Sequence, residues 1–166
     1  MNGSKEKVND WITIFNDHVE YENQSGCVFC PPSCFLDNAN EIITSSNLKL
    51  NLGSQDLDAD ANNPSTGGIN GKMLKELGCN YVLIGHSERR IHFNEHEDLL
   101  LKKLTSAVLN NLKVVYCVGE TKNQREQGVA TEVIKAQLQV LKELPLNLIS
   151  VAYEPCLLYT SPSPRD

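Results

Sequence analysis

Residues 80–90 read NYVLIGHSERR, an apolar run that passes through glycine and histidine directly into charged residues. A short continuous apolar run bounded by turn residues is typical of a strand that is buried on both faces. Comparable runs occur at residues 26–32, 48–56, 113–119 and 148–155. The sequence therefore predicts several buried parallel strands.

Stretches with helical spacing separate these runs, at residues 4–18, 33–44, 72–78, 97–111 and 130–144. Apolar residues at that spacing predict which faces are buried. The predicted buried residues are Val8, Trp11, Ile12 and Phe15 in the first helix, Leu101, Leu104, Val108 and Leu112 in the fourth, and Ile134, Leu138 and Leu141 in the fifth. Strands that alternate with helices predict the α/β fold class, with a parallel sheet covered by helices.

The composition narrows the classes of protein. The chain has 166 residues, enough for one domain with a sizeable core, and its formal net charge is −6. It has no basic stripe that would bind nucleic acid or an acidic membrane surface. It also has no apolar run of about 18 residues and no visible signal peptide. We therefore expect neither nucleic acid nor a membrane as a partner.

Six cysteines are present, and Cys27, Cys30 and Cys34 form a C-x2-C-x3-C pattern. A structural zinc site needs four ligands, usually from a second Cys or His pair, and no such pair lies nearby. The first two of these cysteines lie in an apolar run, where a thiol packs as a small hydrophobic group. We interpret the cysteines as core thiols of a reducing compartment, with a metal site as the alternative.

In parallel α/β folds, chemistry collects where the strands end. His86 follows a strand through Gly85, and a helical turn that starts at Ser87 would present its N-terminus to the imidazole. The positive end of a helix dipole disfavours imidazolium, so a neutral His86 could donate a hydrogen bond. A structural histidine that caps a turn is the alternative.

Glu154 ends the last strand, and Pro155 stiffens the chain after it. A carboxylate in a partly desolvated site is a good general base, whereas the alternative is an exposed glutamate at a strand end. A histidine and a glutamate at separate strand ends together indicate proton transfer next to a carbonyl group.

Two other patterns are weaker. TGGINGKM looks like a phosphate loop, but only three residues separate Gly67 from Gly71, and Met73 stands where a magnesium-binding hydroxyl is needed. His92 and His96 are spaced i, i+4 and could hold a metal on a helix face. A polar loop that leads into a helix accounts for them as well.

The segments NYVLIGHSERR, LKVVYCVGET, QREQG and VAYEP occur in an order and at a spacing that resemble the triosephosphate isomerase family. The weaker MNGSKEKV, CPPSCFL and GSQD fit the same register. The resemblance implies a TIM (β/α)8 barrel, of which residues 1–155 would cover roughly helix 1 to strand 6 as one partial domain. It also implies the interconversion of dihydroxyacetone phosphate and D-glyceraldehyde 3-phosphate through an enediolate, in glycolysis and gluconeogenesis.

The resemblance further implies roles for individual residues. His86 matches the electrophile that polarises the substrate carbonyl, and Glu154 matches the base that moves a proton between carbons. Ser87 matches a residue that contacts the base, Glu88 a supporting carboxylate, and Cys117 a core thiol beside the site. No cofactor or metal is implied, because hydrogen bonds and a fixed cation stabilise the enediolate.

The family forms homodimers in which the third βα loop inserts into the partner, so we expect Thr66, Gly67 and Arg89 at a dimer contact. Gly68 stands where the family usually has a glutamate that supports an arginine at the position of Arg89. Ser65 stands where the family usually has an aromatic residue. The expected dimer contact therefore departs from the family pattern, although the expected chemistry does not.

The family pattern extends beyond both ends of this resemblance. It includes an active-site asparagine and lysine, a lid, and two further βα units with phosphate-binding amides, none of which has a counterpart here. We therefore expect the chain as written to be inactive, with open sheet edges that favour aggregation. A non-catalytic barrel fragment that acts through protein interaction is the alternative.

Residues 156–166 read CLLYTSPSPRD and resemble no part of the family. We interpret them as a non-native tail, a translated sequencing adapter, with a flexible Pro/Ser-rich tail as the alternative. The family and the free thiols together predict a cytoplasmic location.

Overall fold

The computed structural model of the chain describes residues 3–59 and 65–155. The predictions that concern residues 60–64 of the third βα loop, and the whole tail 156–166, lie outside the described residues. Across the described part, no helix is long and apolar enough to cross a membrane.

Five strands form one sheet in the described residues, and every neighbouring pair is parallel. They are β1 (Val28–Phe29), β2 (Asn51–Ser54), β3 (Tyr81–Ile84), β4 (Lys113–Val118) and β5 (Ile149–Tyr153). Their order in the sheet is their order in the chain. Because crossovers between parallel strands are right-handed, this order places the connecting helices on one face and curls the sheet into part of a TIM barrel. The predicted fold class is confirmed.

The helices are α1 (Lys5–His18), α2 (Leu36–Ser45), α3 (Gly71–Glu76), α4 (Ser87–His92), α5 (Glu97–Leu109), α6 (Lys122–Glu126) and α7 (Ala130–Leu138). Short 3-10 helices lie at Gln24–Gly26, Ser33–Phe35, Gln139–Leu141 and Leu146–Leu148. The predicted helices are all present. The structure adds α4 and α6, two helices of six and five residues, directly after the ends of β3 and β4.

Helix α1 begins where its sequence predicts, because the Ser4 hydroxyl accepts a hydrogen bond from the Lys7 amide and caps the helix. Its core-facing residues are Val8, Ile12 and Phe15. The prediction that Trp11 is buried with them is wrong, because its side chain is 43% exposed. Its ring stacks on the rim of the core instead, 5.4 Å from the Phe15 ring and close to Phe29.

The buried face of α5 differs in part from the predicted face: Leu104 and Leu112 are buried as predicted, and Val108 is half-buried. Leu100 and Leu104 are fully buried and pack against the sheet, whereas Leu101 is 40% exposed. The buried face also includes Ser106, Ala107 and Lys103, the last a charged side chain that the hydrophobic pattern could not indicate.

Strand β5 is less buried than its sequence predicts. It pairs only with β4 among the described strands, and Ser150, Val151 and Tyr153 are exposed. An edge strand keeps its apolar composition but lacks a neighbour on one side, which explains the difference.

The cysteines also differ from one another. All five in the described residues are free thiols; Cys79 and Cys117 are buried, Cys27 and Cys30 are half-buried, and Cys34 is exposed. The interpretation as core thiols is therefore wrong for Cys34, whose 3-10 helix faces solvent. No group of three or more metal-ligating side chains occurs in residues 3–59 and 65–155.

Candidate active site

The carboxyl ends of β3, β4 and β5 bring the two candidate catalytic side chains together. His86 follows β3 and Glu154 follows β5, with β4 between them. Strands two apart in a sheet are separated by about 9.6 Å, so the side chains must reach across the end of β4. They do so, because His86 Nε2 lies 3.3 Å from Glu154 Oε1.

His86 is oriented by the short helix that it caps. Its Nδ1 accepts a hydrogen bond of 3.3 Å from the Glu88 amide at the start of α4. A nitrogen that accepts cannot also carry a proton, so the neutral ring carries its proton on Nε2 and donates towards Glu154. The Glu88 carboxylate lies 3.9 Å from Nδ1, which is too long for a hydrogen bond that would compete. His86 therefore caps α4 through Nδ1 and leaves Nε2 facing Glu154, and its donation to a substrate remains a prediction.

Gly85 supplies the turn that brings His86 out of the strand. Its φ is +80°, a conformation that other residues rarely adopt. Its carbonyl accepts a hydrogen bond of 2.8 Å from Arg90 Nε. The turn before His86 is thus fixed by the backbone conformation of Gly85 and by the hydrogen bond from Arg90 in α4.

Glu154 is held by the backbone of β4. Its amide donates to the Val118 carbonyl at 2.8 Å, which continues the β4–β5 pairing by one residue. The side chains of His86 and Glu154 are 27% and 21% exposed, so both are shielded yet reachable. This partial burial suits groups that must meet a small substrate.

Tyr153, the residue before Glu154, is also anchored. Its hydroxyl donates to Glu120 Oε2 at 2.9 Å and accepts from Arg125 Nη2 at 2.8 Å. The Glu120 side chain is fully buried and bonds Arg125 Nε at 2.7 Å. These contacts, which the sequence analysis did not identify, fix the end of β5 to the segment after β4.

Cys117 lies on β4, opposite Ala152 of β5. Burial, and secondly the nearby Glu154 carboxylate, raise the pKa of the Cys117 thiol to about 12. The thiol is therefore protonated at neutral pH and is not a nucleophile. Its position agrees with the predicted core thiol beside the site.

The remaining predicted residues are dispersed. Ser87 is the first residue of α4, and the Glu88 side chain is 68% exposed. His92 ends α4, whereas His96 precedes α5, so the two histidines do not share a helix face. Asn70 caps α3 through its side chain, and the glycine-rich stretch before it leads into this short helix.

A second polar cluster was missed by the sequence analysis. Lys103, whose side chain is 5% exposed, bonds both Asp56 oxygens and Glu95 Oε1 at 2.7 Å. Arg89 Nη2 contacts the same carboxylates at 2.7 and 2.8 Å. Burial raises the pKa of Asp56, and the Lys103 bond opposes this shift. No local pattern predicts this cluster, because Asp56 lies 47 residues before Lys103.

This cluster bears on the predicted dimer contact. Thr66 and Gly67 are exposed, at the edge of the described residues. Gly68 lacks the carboxylate that the family pattern supplies to Arg89, but Asp56 and Glu95 pair with that guanidinium within the chain itself. Arg89 is therefore paired even though residue 68 supplies no carboxylate.

The fold and the site together define a class of protein. It is a parallel β/α-barrel protein in which a histidine and a carboxylate lie together at the carboxyl ends of the strands, where enzymes of this fold have their active sites. Comparison with known proteins specifies the family. The family model described as triosephosphate isomerase matches residues 1–161. The chain belongs to the triosephosphate isomerase family.

Individual relatives agree. The chain is 34% identical over 159 residues to triosephosphate isomerase of Vibrio vulnificus, covering 93% of this chain and 62% of that one. It is 42% identical over 149 residues to triosephosphate isomerase of Dictyoglomus turgidum, covering 87% and 59%. The crystal structure of triosephosphate isomerase from Bartonella henselae superposes with a TM-score of 0.81 at 31% identity, covering 94% and 64%. The chain thus spans about three fifths of the length of these relatives.

Proposed function

We propose that the site contributes to a triosephosphate isomerase, which interconverts dihydroxyacetone phosphate and D-glyceraldehyde 3-phosphate. The observation that carries the proposal is the contact of 3.3 Å between His86 Nε2 and Glu154 Oε1 at the carboxyl edge of the sheet. Family membership supports the substrate class, and the geometry supports His86 as the donor and Glu154 as the base.

In the proposed reaction, the Glu154 carboxylate removes a proton from the carbon next to the substrate carbonyl. The electron pair of that C–H bond forms the carbon–carbon double bond of the enediolate, and the carbonyl oxygen takes the negative charge. The Nε2–H of His86 donates to this oxygen, as an oxyanion donor does. The hydroxyl proton of the first carbon passes to the former carbonyl oxygen, which leaves the negative charge on the oxygen of the first carbon. That oxygen becomes the new carbonyl as Glu154 returns its proton to the neighbouring carbon, so that the enzyme ends unchanged.

We also propose a homodimer, in which Thr66, Gly67 and Arg89 lie at the contact, and a cytoplasmic location. For the 166-residue chain alone we expect no isomerase activity. The family's lysine, lid and phosphate-binding amides lie in segments that this chain does not match, and an oxyanion-type contribution is worth about 10²–10³-fold.

A chimera tests the proposal. Residues 3–155 would replace the matching portion of the Vibrio vulnificus triosephosphate isomerase, and the initial rate with D-glyceraldehyde 3-phosphate would be measured. We expect an active chimera, and an inactive 166-residue chain in the same assay. In the chimera, Glu154→Gln should lower kcat by about 10²–10⁴-fold, because the base is lost. Glu143→Gln, at an exposed glutamate, is the matched control.

The two results separate clearly. A folded chimera without activity, or one in which Glu154→Gln and Glu143→Gln behave alike, would contradict the proposed function. His86→Gln gives an independent check, because it removes the donor without removing the base.

A further inference from the structure

A glutamine outside the catalytic pair holds the backbone beside it. Gln137, half-buried on α7, reaches the peptide of Gly119 at the end of β4. Its Oε1 accepts from the Gly119 amide at 2.9 Å, and its Nε2 donates to the Gly119 carbonyl at 3.0 Å. One side-chain amide thus satisfies both polar groups of one residue, a two-point contact that fixes position and orientation.

Gly119 in turn touches the backbone of the base. A Cβ atom at this position would collide with the carbonyl oxygen of Glu154. The neighbouring Val118 carbonyl accepts the Glu154 amide. Any displacement of Gly119 is therefore passed directly to Glu154.

The same glutamine is linked to the histidine side of the site. The Tyr116 hydroxyl donates to the Gln137 carbonyl at 3.0 Å. Arg90 Nη2 donates to that hydroxyl at 3.0 Å, and Arg90 Nε bonds the Gly85 carbonyl just before His86. A continuous series of hydrogen bonds therefore runs from the turn that carries His86 to the peptide against which Glu154 packs.

We propose that Gln137 is a positioning residue, which sets the place of the Glu154 carboxylate relative to His86 by clamping the Gly119 peptide. The inference rests on the proposed function, since it assigns Gln137 a task in that reaction. Both polar atoms of the Gln137 side chain are bonded to Gly119, so its contribution falls on the alignment of the base.

The test uses the active chimera with Gln137→Met, which keeps the length of the side chain and removes both hydrogen bonds. A misplacement of about 1 Å costs up to roughly 10²-fold in rate, so we expect kcat to fall about 10- to 100-fold. KM should change by less than about twofold, because substrate contacts are untouched. Gln139→Met is the matched control, since the exposed Gln139 bonds only a carbonyl of its own helix.

A second variant distinguishes alignment from stability. Gln137→Glu introduces a carboxyl group that can donate to the Gly119 carbonyl only when it is protonated. The ratio of its kcat to that of the unsubstituted chimera should therefore rise as the pH is lowered from 8 to 5, towards the glutamate pKa of about 4.3.

Each possible result of these measurements leads to a different conclusion. Unchanged kcat in Gln137→Met would overturn the inference while leaving the proposed function intact, because the unsubstituted chimera remains active. If Gln137→Met fails to fold, a kcat ratio for Gln137→Glu that is flat with pH would overturn it equally, and a rising ratio would support it. An inactive unsubstituted chimera would instead overturn the proposed function, and the assigned role with it.

Discussion

At the carboxyl ends of β3 to β5, backbone groups bond directly to the two candidate catalytic residues, whereas near α5 four charged side chains hold one another. His86 is fixed by a backbone amide and Glu154 by a backbone carbonyl. In the cluster, Lys103 lies between Asp56 and Glu95 at 2.7 Å. Glu95 Oε2 is buried there without a hydrogen-bond partner in the described residues.

The difference follows from what each region must do. Peptide groups orient both candidate catalytic residues, and in the proposed reaction the Glu154 carboxylate is the group that takes the proton. The buried cluster has costly desolvation, and each charge there depends on the others being present. The cluster therefore suits a structural role, in which it ties the segment after β2 to α4 and α5.

The largest expected effect comes from breaking the cluster. Lys103→Met in the chimera removes the bonds to the buried Glu95 and the half-buried Asp56, and removal of one partner from such a network costs about 3–5 kcal/mol. Urea unfolding should show this loss in the free energy of unfolding, while kcat per folded molecule stays unchanged. Lys102→Met, at the exposed neighbouring lysine, is the control. A loss of kcat without a loss of stability would reverse the roles assigned to the two regions.

The next prediction concerns the region at the carboxyl ends of β3 to β5. Gly119→Ala adds a Cβ that collides with the Glu154 carbonyl oxygen, so the end of β5 must move. We expect kcat to fall about 10²-fold, the cost of a displacement of about 1 Å at a reacting group. In Gly26→Ala the new Cβ meets no atom within 4 Å, and this variant should keep its kcat. Equal rates for the two variants would show that the backbone contact does not set the geometry.

Local rules predict the position of the two candidate catalytic residues well and the groups that support them poorly. His86 and Glu154 each stand directly after an apolar run, and strand ends of a parallel sheet meet at one edge. The sequence could therefore place both without any long-range contact. By contrast, Gln137 bonds a residue 18 positions earlier, and no local pattern on its helix indicates that pairing.

The errors have the same origin. Apolar spacing alone favours Leu101 over Leu100 for the buried face of α5. The same spacing rule does not place a charged residue in a core. Lys103 is buried only because Asp56, 47 residues earlier, reaches it. The exposure of β5 likewise depends on which strands lie beside it, and composition does not report this.

Alkaline pH offers a smaller test, on a neutral group of the site. The Cys117 thiol has a pKa raised to about 12 from its ordinary value of 9.0. Well below pH 9 the thiol is protonated in both the folded and the unfolded chain, so it does not make the free energy of unfolding depend on pH there. Between pH 9 and 12 the unfolded chain releases the proton and the folded chain keeps it, so the free energy of unfolding falls as pH rises.

Each such group contributes about 1.4 kcal/mol per pH unit to that fall. Urea unfolding of the chimera between pH 9 and 11 should therefore show a shallower decline for Cys117→Ser than for the unsubstituted protein. Cys34→Ser, at an exposed cysteine, should leave the slope unchanged. Identical slopes for the two variants would mean that Cys117 is not shielded as its burial indicates.

The smallest expected effect isolates a neutral hydrogen bond that does not position the base. Thr121 caps α6 in a capping box, in which its hydroxyl accepts from the Gln124 amide and the Gln124 side chain accepts from the Thr121 amide. Thr121→Ala should lower the free energy of unfolding by about 1 kcal/mol without changing kcat. Thr105→Ala removes a hydroxyl that bonds a carbonyl within α5, and should have almost no cost because alanine favours the helix. Thr121→Ala could instead lower kcat as Gly119→Ala is expected to do. In that case the hydrogen bonds that position Glu154 would extend beyond the end of β4 into α6, and the capping box would be a positioning contact instead of a structural one.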